Sequence, residues 1–260
     1  MQEIDWNRLA RYYDQISKLE AGYTLNQLDC LDISPEDTIL DIGCGPGRIS
    51  VPVALRAKSV TALDAFNAML EICAENARSA RVNNISTVLI DWKNAVIGEN
   101  IQKHDIVIAS RSVGLTDPNK LNAAANKYAV MIGWAPVHSP SIGTLFDGVA
   151  EACTMKFSNE NDPIRRYIFG YQHAFNQVYE MGALPNVRVV KDGFSRHYST
   201  RKEAYCDLAT LQEFPSEKQR QFENNVDLFL TQEADGSVTY RCERWSYVLW
   251  WKPIRLQNVL

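Results

Sequence analysis

No apolar run approaches the roughly 18 residues needed to cross a bilayer, so the sequence offers no membrane span. Its first residues, Met-Gln-Glu-Ile-Asp, lack the basic-then-apolar order of an export signal. Basic residues are in slight deficit, 27 Lys and Arg against 31 Asp and Glu, giving a net charge of −4 and a pI of about 5.6. That balance leaves no electrostatic footprint for nucleic acid or an anionic membrane surface. The six cysteines (Cys30, Cys44, Cys73, Cys153, Cys206 and Cys242) include no C-x-x-C pair, which argues against a zinc site or a disulfide framework and for free, buried thiols. Internal repeats, low-complexity tracts and Gly/Ser linkers are also missing. These absences point to a cytoplasmic chain without nucleic-acid or membrane partners, folded as one domain over residues 1–260. The 46% hydrophobic content is ordinary for such a chain.

The most informative stretch that is present runs from Thr38 to Ser50, Thr-Ile-Leu-Asp-Ile-Gly-Cys-Gly-Pro-Gly-Arg-Ile-Ser. A short apolar run (Ile39, Leu40, Ile42) ends in Gly43, Gly45 and Gly47, and a helix-length apolar segment follows. This order reads as buried strand, tight turn and helix N-terminus, the first unit of an α/β nucleotide-binding domain. The dinucleotide fingerprint G-x-G-x-x-G is not met, because Arg48 stands where its third glycine belongs. A P-loop ending in Gly-Lys-Ser/Thr is missing as well. Asp41, two places before the first glycine, would repel a pyrophosphate and suit a cation.

The stretch resembles motif I of the class I S-adenosylmethionine-dependent methyltransferases. The resemblance implies a Rossmann-like, doubly wound seven-stranded α/β sheet, mostly parallel with an antiparallel seventh strand. It also implies a loop (Asp41, Gly43, Cys44, Gly45, Gly47) that passes close to the amino-acid and ribose parts of S-adenosylmethionine. Later segments are read against it. Ser59–Leu63 is a second strand ending at Asp64, 23 positions beyond Asp41, where a carboxylate can accept both ribose hydroxyls or cap the helix expected over Ala65–Arg81. In the family, the turn here and its methionine, Ala65 and Met69 in this sequence, contact adenine. Ile85–Ile90 is a third strand ending in Asp91-Trp92, an acid and an aromatic that in the family read the adenine edge and pack on the base. Asp105–Ser110 is a fourth strand, with Ser110 on the donor side and Arg111-Ser112 where donor and acceptor would meet. The Asn/Asp-Pro-Pro-aromatic motif of adenine-type nucleic-acid methyltransferases is missing there, which favours a small-molecule acceptor. Arg111 reads equally as a clamp on an acidic substrate group or as a solvated loop charge. A short helix ending over Asn122–Lys127 and a fifth strand, Tyr128–Trp134, complete the parallel core.

On this reading 1–37 is an N-terminal helical cap, 38–134 the cofactor core, and 135–260 an acceptor-side half with a helical insertion at about 199–231. The cap helix, Trp6–Lys18, lines up Leu9, Tyr12, Tyr13 and Ile16. Packing is favoured for this stripe over a role for Tyr12 or Tyr13 in covering the cofactor. Pro52 falls inside the helix expected over Arg48–Arg56, where it should cost a hydrogen bond and bend it. Further on, Asp162–Gly182 reads as a long helix and Val187 onward as a sixth strand. Ser199–Leu211 and Ser216–Leu230 read as two helices. Ser237–Trp251 is then a seventh strand with a hairpin before it as an option.

Methyl transfer needs no metal, and no metal-ligand spacing is visible. Base candidates by residue type and location are His138, His173 and Tyr171, each of which also reads as structural. The alternative to an enzyme is a non-catalytic S-adenosylmethionine-binding or partner subunit. A nicotinamide-dependent oxidoreductase conflicts with Arg48, and aminopropyl transfer lacks its acidic run after the fourth strand. The acceptor and the oligomeric state, homodimer included, are not legible.

Overall fold

The computed structural model describes residues 5–135, 141–150 and 170–255. Its centre is a sheet in the order β3-β2-β1-β4-β5-β8-β6, with a short β7 paired to β8. The strands are β1 (Thr38–Ile42), β2 (Ser59–Asp64), β3 (Ile85–Leu89), β4 (His104–Ser110), β5 (Ala125–Trp134), β6 (Asn186–Tyr198), β7 (Leu230–Gln232) and β8 (Val238–Trp251). The first five pair in parallel, and β8 runs antiparallel to both β5 and β6. The expected seven strands are thus eight. The addition is the short β7, which pairs with β8 as the hairpin that the sequence offers as an option before its last strand.

Alternation along the strands explains why the sheet is covered on both faces. Leu40 and Ile42, Val107 and Ala109, Ala129 and Met131, and Tyr247, Leu249 and Trp251 enter one core. The intervening Ile39, Ile106, Ile108, Val130, Ile132 and Val248 enter the other. A period of two puts successive side chains on opposite faces, so near-continuous apolar runs mark strands buried twice over.

The helices are α1 (Trp6–Leu19), α2 (Ala21–Leu28), α3 (Ser50–Ala54), α4 (Asn67–Ser79), α5 (Pro118–Ala124), α6 (Tyr171–Glu180), α7 (Arg201–Ala209) and α8 (Gln219–Asp227). Several bounds depart from the sequence reading. Helix α3 starts only at Ser50, so Pro52 lies in its first turn, where backbone N–H groups have no intrahelical partner and proline costs nothing. Helix α4 begins two residues after Ala65 because Asp64 turns the chain by accepting from the Phe66 N–H (3.0 Å). Residues 125–127, expected to finish a helix, already belong to β5, since Pro118 opens α5 early and Ala124 closes it. At α7 the reading of Ser199 or Thr200 as cap resolves to Thr200, which accepts from the Glu203 N–H (3.1 Å). Of the helix expected over Asp162–Gly182, the part before residue 170 lies outside the described residues. Its end matches α6, which stops at a glycine with φ +87°.

Two features place the site. Strand β5 ends with Trp134 opposite Ser246, while β6 and β8 continue past it as a ribbon pairing Asp192 with Arg244 through Tyr198 with Val238. The ribbon, α7, α8 and Leu145–Phe146 share a second core around Phe194, Tyr198, Phe222 and Tyr240, beyond the carboxyl end of the parallel sheet. The other feature is the pair α1–α2, of which the sequence announces only the first. Helix α1 is fastened to α4 by Arg11–Glu75 (2.6 Å) and by Asn76, which donates to Asp14 (2.8 Å) and to the Pro46 carbonyl (2.9 Å). Among the described residues no helix is long and apolar enough to cross a membrane.

Candidate active site

The loop after β1 folds under β2. The N–H groups of Gly43 and Cys44 both donate to the Leu63 carbonyl (2.7 and 3.0 Å), and that of Gly45 donates to the Asp64 carboxylate (2.9 Å). Gly43 and Gly47 adopt φ of +65° and +90°, and a Cβ at either would sit within 3 Å of Ser112 Cβ or Cys73 Sγ. Only glycine meets both demands. Tyr13 of α1 crosses the loop, its ring 3.6 Å from where a Cβ on Gly45 would be, and stacks edge-on against Trp6. Tyr12 instead joins the second core. The stripe on α1 therefore splits: one tyrosine packs, and its neighbour faces the loop.

Asp41 is 1% exposed, and its carboxylate accepts from the Ser50 hydroxyl (2.6 Å). Burial pushes its pKa up to about 6, against the pull of Ser50 and Arg48. Asp64 is also pushed up by burial, and the backbone N–H groups of Gly45, Phe66 and Ala65 draw it partly back. Tyr13, Asp41, Gly43, Arg48, Ser110 and Arg111 line a cavity of about 30 Å³. A groove of about 1000 Å³ between the start of α5 and the end of α6 shares none of its residues with that cavity and none of the loop's polar groups.

Behind the cavity lies a buried charge cluster. The Glu20 carboxylate, at the joint of α1 and α2, accepts from Arg48 Nε (3.3 Å) and Arg111 Nη1 (2.7 Å). Arg48 also donates to Thr24 (3.1 Å), Gln27 (3.0 Å) and Ser110 (2.5 Å). Arg111 donates to Asp192 and to Ser246 (3.1 Å), and its guanidinium lies 3.3 Å from the centre of the Trp134 ring. Burial, then the charge of Arg111, holds the Arg48 pKa down. For Arg111 burial acts in the same direction, but Glu20 and Asp192 outweigh it and the pKa rises.

These residues belong to a recognisable fold family. Residues 39–132 match the family model described as a methyltransferase domain. An S-adenosylmethionine-dependent methyltransferase of Aquifex aeolicus superposes with a TM-score of 0.50 at 16% identity, over 72% of this chain and 93% of that one. Residues 39–132 form a methyltransferase domain, carried on a Rossmann-like fold. An uncharacterized protein of Haemophilus influenzae is 25% identical over 97% of this chain and 90% of its own length. A 23S rRNA (uracil(1939)-C(5))-methyltransferase of Alcanivorax borkumensis is 40% identical over 72 residues, which span only 16% of that protein.

In this methyltransferase the expected donor residues fall into two groups. Asp41, Gly43, Cys44, Gly45, Gly47, Asp64 and Ser110 gather at the carboxyl ends of β1, β2 and β4, and Met69 lies with its Sδ 4.0 Å from the Gly45 Cβ position. Ala65 is exposed at the turn before α4. Asp91 lies two residues beyond β3 and caps the helical turn Trp92–Asn94, accepting from the Lys93 N–H (2.9 Å). Trp92 departs from expectation. Its ring is 2% exposed in the core with Leu63 and Leu121, and Lys120 Nζ lies 4.5 Å from the ring centre, so no face is left for an adenine. Arg111 is neither a solvated charge nor a free clamp, because its partners are Glu20 and Asp192. Tyr171 packs against Tyr247, and His173 lies on the same helix; neither lines the small cavity. His138 lies outside the described residues. Sequence reasoning missed Glu20, Gln27, Asp192 and Ser246. One signal was available: an acid followed by glycine, Asp192-Gly193, interrupts the β-branched run of β6.

Proposed function

We propose that the chain moves the methyl group of S-adenosylmethionine to a small-molecule acceptor, and that the loop residues and Asp64 hold the donor. The observation that carries this reading is the bond from the Gly45 N–H to the Asp64 carboxylate, which ties the two donor-binding elements of the family into one surface. The residues suit the group. Asp41 is a buried carboxylate bonded by the neutral Ser50 hydroxyl, which suits it to an ammonium. The positive-φ glycines let the backbone approach without Cβ atoms.

Bound S-adenosylmethionine supplies an electrophilic methyl on a sulfonium, whose departure needs no proton. Asp64, its carboxylate held by the Gly45 N–H, would accept from the ribose hydroxyls, and Asp41 would balance the ammonium. Tyr13 and the α1–α2 pair cover the loop and keep water away, and the ribbon of β6 and β8 forms the acceptor-side wall. The task of this wall would be to orient the acceptor atom for attack on the methyl group. The small-molecule reading is supported by the acidic balance of the chain and by the enclosed carboxyl edge. The match to the rRNA enzyme covers only 28% of this chain.

Calorimetric titration with S-adenosylhomocysteine tests the donor half. Asp64→Ala should weaken binding about 100-fold or more, the loss of two hydrogen bonds to a charged acceptor at about 1.5–3 kcal/mol each. Unchanged affinity would remove Asp64 from the site. Label from the methyl of S-adenosylmethionine should then enter the small-molecule fraction of a cell extract. Its appearance in RNA alone would overturn the acceptor class.

A further inference from the structure

We propose that Glu20 is a positioning residue, which locks the donor loop and the acceptor-side turn into one geometry through Arg48 and Arg111. The proposal rests on the methyltransferase reading of the site. Glu20 is 4% exposed and takes both guanidiniums on the same carboxylate oxygen. Arg48 directly follows Gly47, so its anchor sets where the donor loop ends and α3 begins. Arg111 directly follows β4 and adopts φ +53°, a left-handed conformation that is costly for a residue carrying a Cβ. Ser112, the next residue, donates to the Ile42 carbonyl (2.5 Å) and lies against Gly43, where a Cβ would come within 2.6 Å of its own. The strained turn is therefore built into the floor of the donor loop.

Several observations show what keeps it there. The cluster is balanced, with Arg48 and Arg111 against Glu20 and Asp192, and the side chains of all four are at least nine-tenths buried. Asp192 accepts from Arg111, Ser246 and Gln27 Nε2 (2.5 Å), which binds the far side of the cluster to β8 and α2. Arg111 Nε has no partner among the described residues, so the turn also holds one unmet buried donor there. Removing the Glu20 charge leaves two buried guanidiniums facing one carboxylate. Their repulsion then acts on the two segments that must hold donor and acceptor in line. Breaking a buried pair from one side costs more than the pair itself contributes.

The experiment uses the full chain and S-adenosylhomocysteine, at a temperature where circular dichroism shows every variant folded. Glu20→Gln and Arg111→Gln should each raise the dissociation constant at least tenfold. The double variant should be no weaker than the worse single one, because both changes break one unit. Asp207→Asn, which breaks the remote pair with Arg196 (2.6 Å), should lower thermal stability with unchanged affinity, separating positioning from loss of stability. If Glu20→Gln does not fold, Glu20→Asp, which keeps the charge one methylene short, should bind at least threefold more weakly than wild type. Affinity within twofold of wild type in folded Glu20→Gln or in Glu20→Asp, or additive effects in the double variant, overturns the proposal. Failure of the wild type to bind would instead overturn the donor assignment beneath it.

Discussion

Asp41→Asn is expected to raise the stability of the protein at pH 8 while removing most of its affinity for S-adenosylhomocysteine. Asp41 is buried with a pKa near 6, about two units above that of an exposed aspartate. A folded-state pKa raised in this way means the native chain binds the proton more tightly than the unfolded one. The contribution to stability is therefore complete below about pH 4 and is lost as pH rises through 6. Two units correspond to about 3 kcal/mol, which asparagine recovers in part because it accepts the Ser50 hydrogen bond without a charge. A gain of about 2 kcal/mol should lift Tm by about 4–8 °C at pH 8 and by nothing at pH 4. In the proposed site the same substitution removes the counter-charge assigned to the donor's ammonium and should weaken binding about 30–100-fold. Wild-type affinity should itself fall as pH drops through 6, whereas the variant's should stay flat. Thermal melts and calorimetry at three pH values decide it. A variant no more stable than wild type at pH 8, or one binding the probe equally well, would count against the role given to Asp41.

Gly193→Ala should be strongly destabilising. Gly193 adopts φ +144°, a region almost confined to glycine, and a Cβ there would lie 2.3 Å from the Cys242 carbonyl oxygen of β8. Both atoms are on strand backbone, so the β6–β8 ribbon must separate. Its neighbour Asp192 would move with it, although that carboxylate is 0% exposed and bonded to Arg111, Gln27 and Ser246. The expected cost is about 3 kcal/mol or more, a fall of roughly 6–12 °C in Tm. Donor binding should weaken even in the folded fraction, because the charge cluster loses its geometry. A melting point within 2 °C of wild type would show that the ribbon yields at little cost.

The two predictions differ in how visible their residues are in the sequence. Asp41 stands out there, as an acid inside an apolar strand two residues before a glycine triplet. Local order was enough to place β1, its loop, β2 with Asp64 and β4, because parallel strands buried on both faces announce themselves as apolar runs ending in turn residues. Trp92 was misread for the opposite reason. An aromatic after an acid has the right address for adenine, but side-chain direction decides whether it faces ligand or core, and the core claims it. Arg111 shows the same limit. Its partners Glu20 and Asp192 lie 91 and 81 residues away, and no local pattern links them.

The sequence by itself determined the methyltransferase-like core, the glycine loop and the places of the first five strands along the chain, since each strand and turn is encoded locally by glycine conformation and apolar periodicity. The tertiary structure decided which charges are paired, which aromatic faces the loop and how the acceptor side is closed. These depend on contacts between α1–α2, β4 and the β6–β8 ribbon, and burial is what gives them their energy: a guanidinium exposed on a loop and one sealed against two carboxylates have the same letter in the sequence and opposite roles in the fold.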